Sequence, residues 1–381
     1  MESFIHPSQK WIVLFIFLNM ITCFGKSQDL QIIPSAVLFD CEAGHTNDAL
    51  TLLDGYNDYA DIPEYNLGYH NNPVAYIMNQ SIRKIEVSFK DDNTNEYNGV
   101  AHLILKLSKS SGNYSIGEVC NLFIPNYDFG NSSESSVVSL TGAFPESVGK
   151  HIYQWKWEIY AIPVNAPSRC AGWNTSYTSH TFYTVLDEPK SPMTNPWIEI
   201  LDLSCVWANA QTDSVNTAQK VAEGIYNMGD TDGDIDYDFP DGAPFYSSGD
   251  NYRKFKLADF LYSLSTINTV KVNCSDIANF FNICSTAVGI NSQTKKIINT
   301  SSTFLTNLID PIGSPGWDST RWHYHHIGWY NNKVYDPCLK VNFAAPTIPA
   351  NISQGGYDSL LIQQGYGYNS SDVGISTIIN Y

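Results

Sequence analysis

The stretch VNCSDIANFFNICSTAVGI, residues 272–290, decides how this chain is read. Ile277, Phe280, Phe281, Cys284, Ala287 and Val288 recur at helical spacing and make one apolar stripe. Gly289 stands where a helix is closed by a residue in the left-handed region. The spacing therefore predicts a buried helix that starts at Cys274. A thiol at that end meets free backbone N–H groups and the positive end of the helix dipole, which favour the thiolate a nucleophile needs. Cys284, in the middle of the same helix, reads as buried or disulfide-bonded.

The nearest histidine-rich segment downstream is HYHHIGWYNNKVYDPC, residues 323–338. Two apolar runs flank Asn331-Asn332, a pair suited to a two-residue hairpin turn. That register sets Tyr330 opposite Lys333, Trp329 opposite Val334, Gly328 opposite Tyr335 and Ile327 opposite Asp336. Paired residues share a face, as do alternate residues along a strand. His325 and Asp336 then lie on one face, expected to look towards the Cys274 helix, and His326 on the other. An imidazole oriented by a carboxylate is what a cysteine nucleophile requires as its base. A zinc site built from His323, His325 and Asp336 is the competing reading of the cluster. A structural disulfide is the competing reading of Cys274.

These two blocks resemble the transglutaminase-like superfamily of papain-related cysteine enzymes. Cys274, Asp276, Ala278, Ala287, Gly289 and Ile290 stand in the spacing of its nucleophile helix. His325 and Asp336-Pro337 follow in its chain order of Cys, His, Asp. The resemblance covers residues 196–342 and departs from the family's pattern at Thr286, where an Arg is common, and at Ile327, where an aromatic is expected. It implies a Cys274–His325–Asp336 catalytic triad acting on a protein or peptide amide. The acyl group would be hydrolysed off or passed to an amine, with no metal and no other cofactor. The family's upstream oxyanion donor has no match here, and the backbone N–H of Cys274 is the one donor that can be named. The rival reading is a non-catalytic surface or glycan-binding protein whose enzyme fold has lapsed.

Outward from these blocks, residues 190–345 read as a transglutaminase-like α+β domain. Asn195 and Pro196 suggest a helix start, a second helix fits 214–227 with Gly229 as its stop, and a third fits 257–264. The run Asp230-Thr-Asp-Gly-Asp-Ile-Asp-Tyr-Asp238 alternates carboxylates, but lacks the glutamate of a calcium loop and reads as a solvated acidic turn. Residues 28–187 carry period-two alternation instead. Tyr153, Trp155, Trp157, Ile159 and Ala161 alternate with polar neighbours, as do Ile85, Val87, Phe89 and Leu103, Leu105, Leu107. Short strands of this kind predict an antiparallel β-sandwich, whose aromatics serve as core or as a glycan platform. Residues 346–381 are left as a C-terminal extension.

At the start, Lys10 precedes an apolar run from Trp11 to Phe24. It is shorter than the ~20 residues a spanning helix needs and fits a secretory signal peptide over residues 1–25, so a secreted or extracellular protein is expected. Of eight cysteines, Cys23 falls in that leader, which leaves seven. An oxidising compartment would pair six, with Cys274 the odd thiol; Cys338 reads as a disulfide half with Cys205 a possible mate. Sequons such as Asn79-Gln-Ser81 suit a glycoprotein, although a chain so rich in Asn, Ser and Thr yields several by chance. The apolar fraction of 43% excludes a disordered chain, and the net charge of −17 leaves no basic surface for nucleic acid. No other stretch is long and apolar enough to span a membrane.

Overall fold

A computed structural model describes residues 30–39, 49–54, 64–68, 70–78, 83–92, 97–111, 119–141, 145–165, 173–230, 233–239, 241–299, 303–341, 347–363, 369–374 and 376–378. The leader, Cys41 and Cys170 lie outside them, as does the side chain of Cys120. The chain is mixed α+β. Its first half forms ten strands: β1 (Ile32–Leu38), β2 (Glu64–Asn66), β3 (His70–Asn71), β4 (Val74–Ile77), β5 (Arg83–Asp91), β6 (Val100–Ser111), β7 (Val119–Asp128), β8 (Ser136–Leu140), β9 (Gly149–Pro163) and β10 (Asn174–Val185).

These strands make two five-stranded sheets, ordered β3-β2-β1-β5-β8 and β4-β10-β9-β6-β7. Pairing is antiparallel except between β4 and β10, which the chain joins through a long crossover, as parallel strands require. Val37, Ile85, Val87 and Val138 of one sheet share a core with Leu103, Leu105, Trp155, Trp157 and Phe182 of the other. The alternation of β9 explains this, because Tyr153, Trp155, Trp157 and Ile159 all point inward and are fully buried. They are therefore core residues and not a glycan platform. The large apolar side chains exposed on these sheets include Val137, Ile152 and Tyr177, at 48%, 63% and 52%.

The second half begins with α1 (Ile198–Trp207), followed by α2 (Ser214–Asp230), β11 (Ile235–Tyr237), α3 (Leu257–Thr266), β12 (Val270–Val272) and α4 (Cys274–Ala287). A five-stranded antiparallel sheet closes it: β13 (Gln293–Ile298), β14 (Tyr324–Tyr330), β15 (Lys333–Tyr335), β16 (Ala350–Ile352) and β17 (Asn369–Gly374), in the order β16-β15-β14-β13-β17. The last helix, α5 (Gln354–Leu361), follows β16. Ala75, Val148, Tyr183 and Val185 of the strand-rich half pack with α1, α2 and α4 in one core.

Two helix ends differ from expectation. The first helix is not capped by Asn195; its N-cap is Trp197, without a side-chain bond. The backbone at 196–198 is held instead by Leu53, whose N–H donates to Pro196 O and whose carbonyl accepts from Ile198 N–H. Nor does Gly229 stop α2, which runs to Asp230. A Cβ at Gly229 would meet the backbone nitrogen of Gly313 at 2.4 Å, so that glycine permits a close approach. Gly289 behaves as expected. At φ +93° it follows the C-cap Val288, with Gly289 N–H donating to Thr286 O and Ile290 N–H to Ser285 O, the paired bonds of a Schellman motif.

Candidate functional site

The N-terminus of α4 is built by a reciprocal cap. The Asn273 side chain accepts the N–H groups of Ser275 and Asp276, and the Asp276 carboxylate accepts that of Asn273. The N–H of Cys274 stands outside these pairs. Asp276 also accepts the N–H groups of Phe245 and Tyr246 and ties the loop after β11 to the helix start. Its burial raises its pKa, against the pull of these hydrogen bonds. Every residue of α4 is buried, and Cys274 is 3% exposed.

Cys274 carries a free thiol. So do Cys205, Cys284 and Cys338, and the proposed Cys338–Cys205 pairing does not form. Both sit in packed apolar surroundings, and the Cys205 sulfur donates to Thr184 O at 3.8 Å. Burial pushes all three of these other thiols up, away from thiolate character.

The hairpin has the expected register. Gly328 faces Tyr335, Trp329 faces Val334 and Tyr330 faces Lys333. Asn331 and Asn332 both take positive φ, 48° and 59°, as a type I′ turn requires. His325 Nε2 and Asp336 Oδ2 meet at 2.9 Å, with both side chains fully buried. The other ring nitrogen, Nδ1, meets no hydrogen-bond partner. The Cys274 thiol lies near enough to this imidazole to help raise its pKa.

The direction of the two faces differs from expectation. The body of α4 packs on the face of His326, Gly328 and Tyr335. Ser275 Oγ lies 2.8 Å from His326 Nδ1, Phe281 and Tyr335 stack at 5.7 Å, and a Cβ on Gly328 would strike the Phe281 ring. His325 occupies the opposite face, with Trp322 at 4.8 Å and Ile327 in a separate apolar cluster. His326 therefore does not point away from the helix; it binds the residue next to Cys274. The aromatic that the resemblance expects at position 327 is an Ile, and Trp322 stands against the His325 ring.

Other groups at the site went unseen in the sequence. Tyr237, buried at the end of β11, lies near the Cys274 thiol, which together with burial raises the phenol's pKa. Parallel pairing of β11 with β12 sets Tyr237 beside Val272, two residues before Cys274. Nothing in the local sequence marks that pairing, since it joins segments with α3 between them. The zinc reading does not assemble: His323 is exposed and precedes β14, whereas His325 is buried. Among the described residues no group of three or more His, Cys, Asp and Glu is placed to hold a metal ion. In the acidic stretch, Asp236 pairs with Lys271 and Asp238 accepts the N–H of Ala243. Among the described residues, no helix is long and apolar enough to cross a membrane.

The two histidines titrate in opposite directions. Burial alone would lower His325, but the Asp336 carboxylate, its hydrogen bond and the Cys274 thiol hold the imidazole at about 10. Burial, helped by the charges of Lys296 and His325, lowers His326 to about 3. The His325 contribution to stability is complete below pH ~6.5, the unfolded value, and is lost as pH rises through about 10. The His326 contribution is present above ~6.5 and is lost as pH falls towards about 3. Urea midpoints measured from pH 4 to 10 should flatten on the alkaline side in His325→Gln and on the acid side in His326→Gln. The reverse pattern would contradict the assignment of partners.

No protein-family model matches the chain, and no curated protein does. Among solved structures the chain is similar to the crystal structure of red sea bream transglutaminase, at 14% identity and a TM-score of 0.31. That match takes in 70% of this chain and 49% of the other, so the chain spans about half the length of that structure.

Proposed function

We propose that this protein is a secreted thiol acyl enzyme of the transglutaminase-like type, with Cys274 as nucleophile, His325 as base and Asp336 as its orienter. The observation that carries the reading is the buried His325–Asp336 pair at 2.9 Å, on an imidazole whose pKa the nearby Cys274 thiol also raises. The Cys274 thiolate adds to an amide carbonyl and forms the C–S bond. Charge develops on the carbonyl oxygen, where the Cys274 N–H and the Tyr237 hydroxyl are the available donors. The His325 imidazolium gives its proton to the departing amine as the C–N bond breaks, leaving a thioester. Water or a second amine then attacks, His325 takes its proton, and the thiolate is released. In this proposal the two-sheet unit at the start of the chain is a β-sandwich that supports the acyl-transfer domain.

A second reading, a lapsed enzyme fold that serves as a secreted surface protein, draws on the 3% exposure of Cys274. The two are separated by an electrophilic thiol probe applied to the native protein. The enzyme reading expects covalent labelling at Cys274 ahead of Cys205, Cys284 and Cys338, found by peptide mass mapping, with none at that site in Cys274→Ala. Incubation with a glutamine-containing protein and a fluorescent primary amine then tells transfer from hydrolysis, through incorporated dye or released ammonia. A native protein that leaves Cys274 unlabelled and both products absent would support the lapsed fold.

A further inference from the structure

Asp336 holds more than His325. Its Oδ1 accepts the N–H of Cys338 at 2.9 Å, and its Oδ2 accepts both His325 Nε2 and the hydroxyl of Tyr357. Tyr357 lies on α5, in the segment beyond residue 345 that the sequence leaves as an extension. It is fully buried and packs with Ile327, Val334, Leu339 and Leu361. The chain delivers it there by short, tight steps. β16 pairs with β15, with Tyr335 facing Ala350, and the N–H of Asp336 donates to Pro349 O. Ser353 caps α5 through Gly356 N–H, and the Tyr357 N–H closes onto Ser353 O.

We propose that Tyr357 is a positioning residue of the site: its hydroxyl shares the Asp336 oxygen with His325, fixes the carboxylate, and moderates its grip on the imidazolium. The inference rests on the reading of Cys274, His325 and Asp336 as an acyl-transfer site. Two donors on one oxygen divide its negative charge, so each is held less firmly than either would be alone. Without the phenol, Asp336 would bind the His325 proton more tightly and be freer to turn. The groups facing His325 are Asp336, Cys274 and the adjacent His326; those facing Tyr357 are Asp336, Cys338 and Cys274.

Tyr357→Phe keeps the ring and removes the hydroxyl. In the full chain, the His325 imidazole followed by NMR should then titrate about one pH unit higher than in wild type. The rate of Cys274 labelling by an electrophilic probe should stay within about threefold of wild type at neutral pH, while its alkaline limb moves up by about one pH unit. Leu361→Ala, which removes packing from the same cluster, should lower stability and leave both pH values in place. An unchanged His325 titration in Tyr357→Phe overturns the inference, whether or not Cys274 reacts. A wild-type protein whose Cys274 never labels, but whose His325 titration moves in Tyr357→Phe, would refute the enzyme reading and leave the Tyr357–Asp336–His325 linkage standing.

Discussion

Replacing His325 with Ala is expected to slow acylation of Cys274 by about 10²- to 10⁴-fold at neutral pH, the range that a positioned general base supplies. Without the imidazole, the thiol loses the partner that takes up its proton and stabilises the thiolate. His326→Ala should behave differently, although the two residues are neighbours. His326 Nδ1 bonds Ser275 Oγ on the opposite strand face, so its loss strands a buried hydroxyl and costs about 1–3 kcal/mol of stability. Acylation in His326→Ala should stay within roughly tenfold of wild type, a bound set well below the general-base range. Stopped-flow acylation with an activated ester, run beside urea unfolding, measures both quantities. Equal loss of acylation in the two variants would mean that the register does not separate their roles.

Asp336→Ala should be the most destabilising single change at the site, by about 3–5 kcal/mol, because it leaves the partner of a buried ion pair without its counter-charge. Three donors lose their acceptor together: His325 Nε2, the Tyr357 hydroxyl and the Cys338 N–H. Asp336→Asn retains the shape and one carbonyl oxygen, so it should lose much less stability while still lowering turnover, because an amide cannot stabilise the imidazolium. The double variant His325→Ala/Asp336→Ala should be less destabilised than the sum of the singles, since the second change removes the group that the first had stranded. Urea denaturation of the four proteins completes that cycle. Strict additivity would deny that the pair is coupled.

Much of the site is legible in the order of residues because its determinants are local. Asn331-Asn332 selects a tight turn by its tolerance of positive φ, and the turn sets the register that brings His325 and Asp336 to one face. The apolar stripe of 277–288 and Gly289 define the helix and its end. Asn273, Cys274 and Asp276 define its start, although the reciprocal cap between Asn273 and Asp276 was not anticipated. The alternation in β9 likewise predicts which aromatics turn inward.

Elements whose geometry repeats within a few residues follow from local sequence: the α4 helix with Cys274 at its head, the hairpin register, and the alternating strands of the first half. Which hairpin face meets the body of α4 was set by packing between distant segments. Period two separates two faces but does not say which one a helix will cover; that depends on fitting Phe281 over Gly328 and stacking it on Tyr335. Tertiary packing also left Cys205 and Cys338 as buried free thiols, since a disulfide needs two particular sulfurs in bonding geometry and a cysteine count cannot supply that. It brought Tyr237 to the thiol and Tyr357 to Asp336 as well. Both contacts join segments far apart in the chain, where strand pairing and core packing set the neighbours and no local spacing records them.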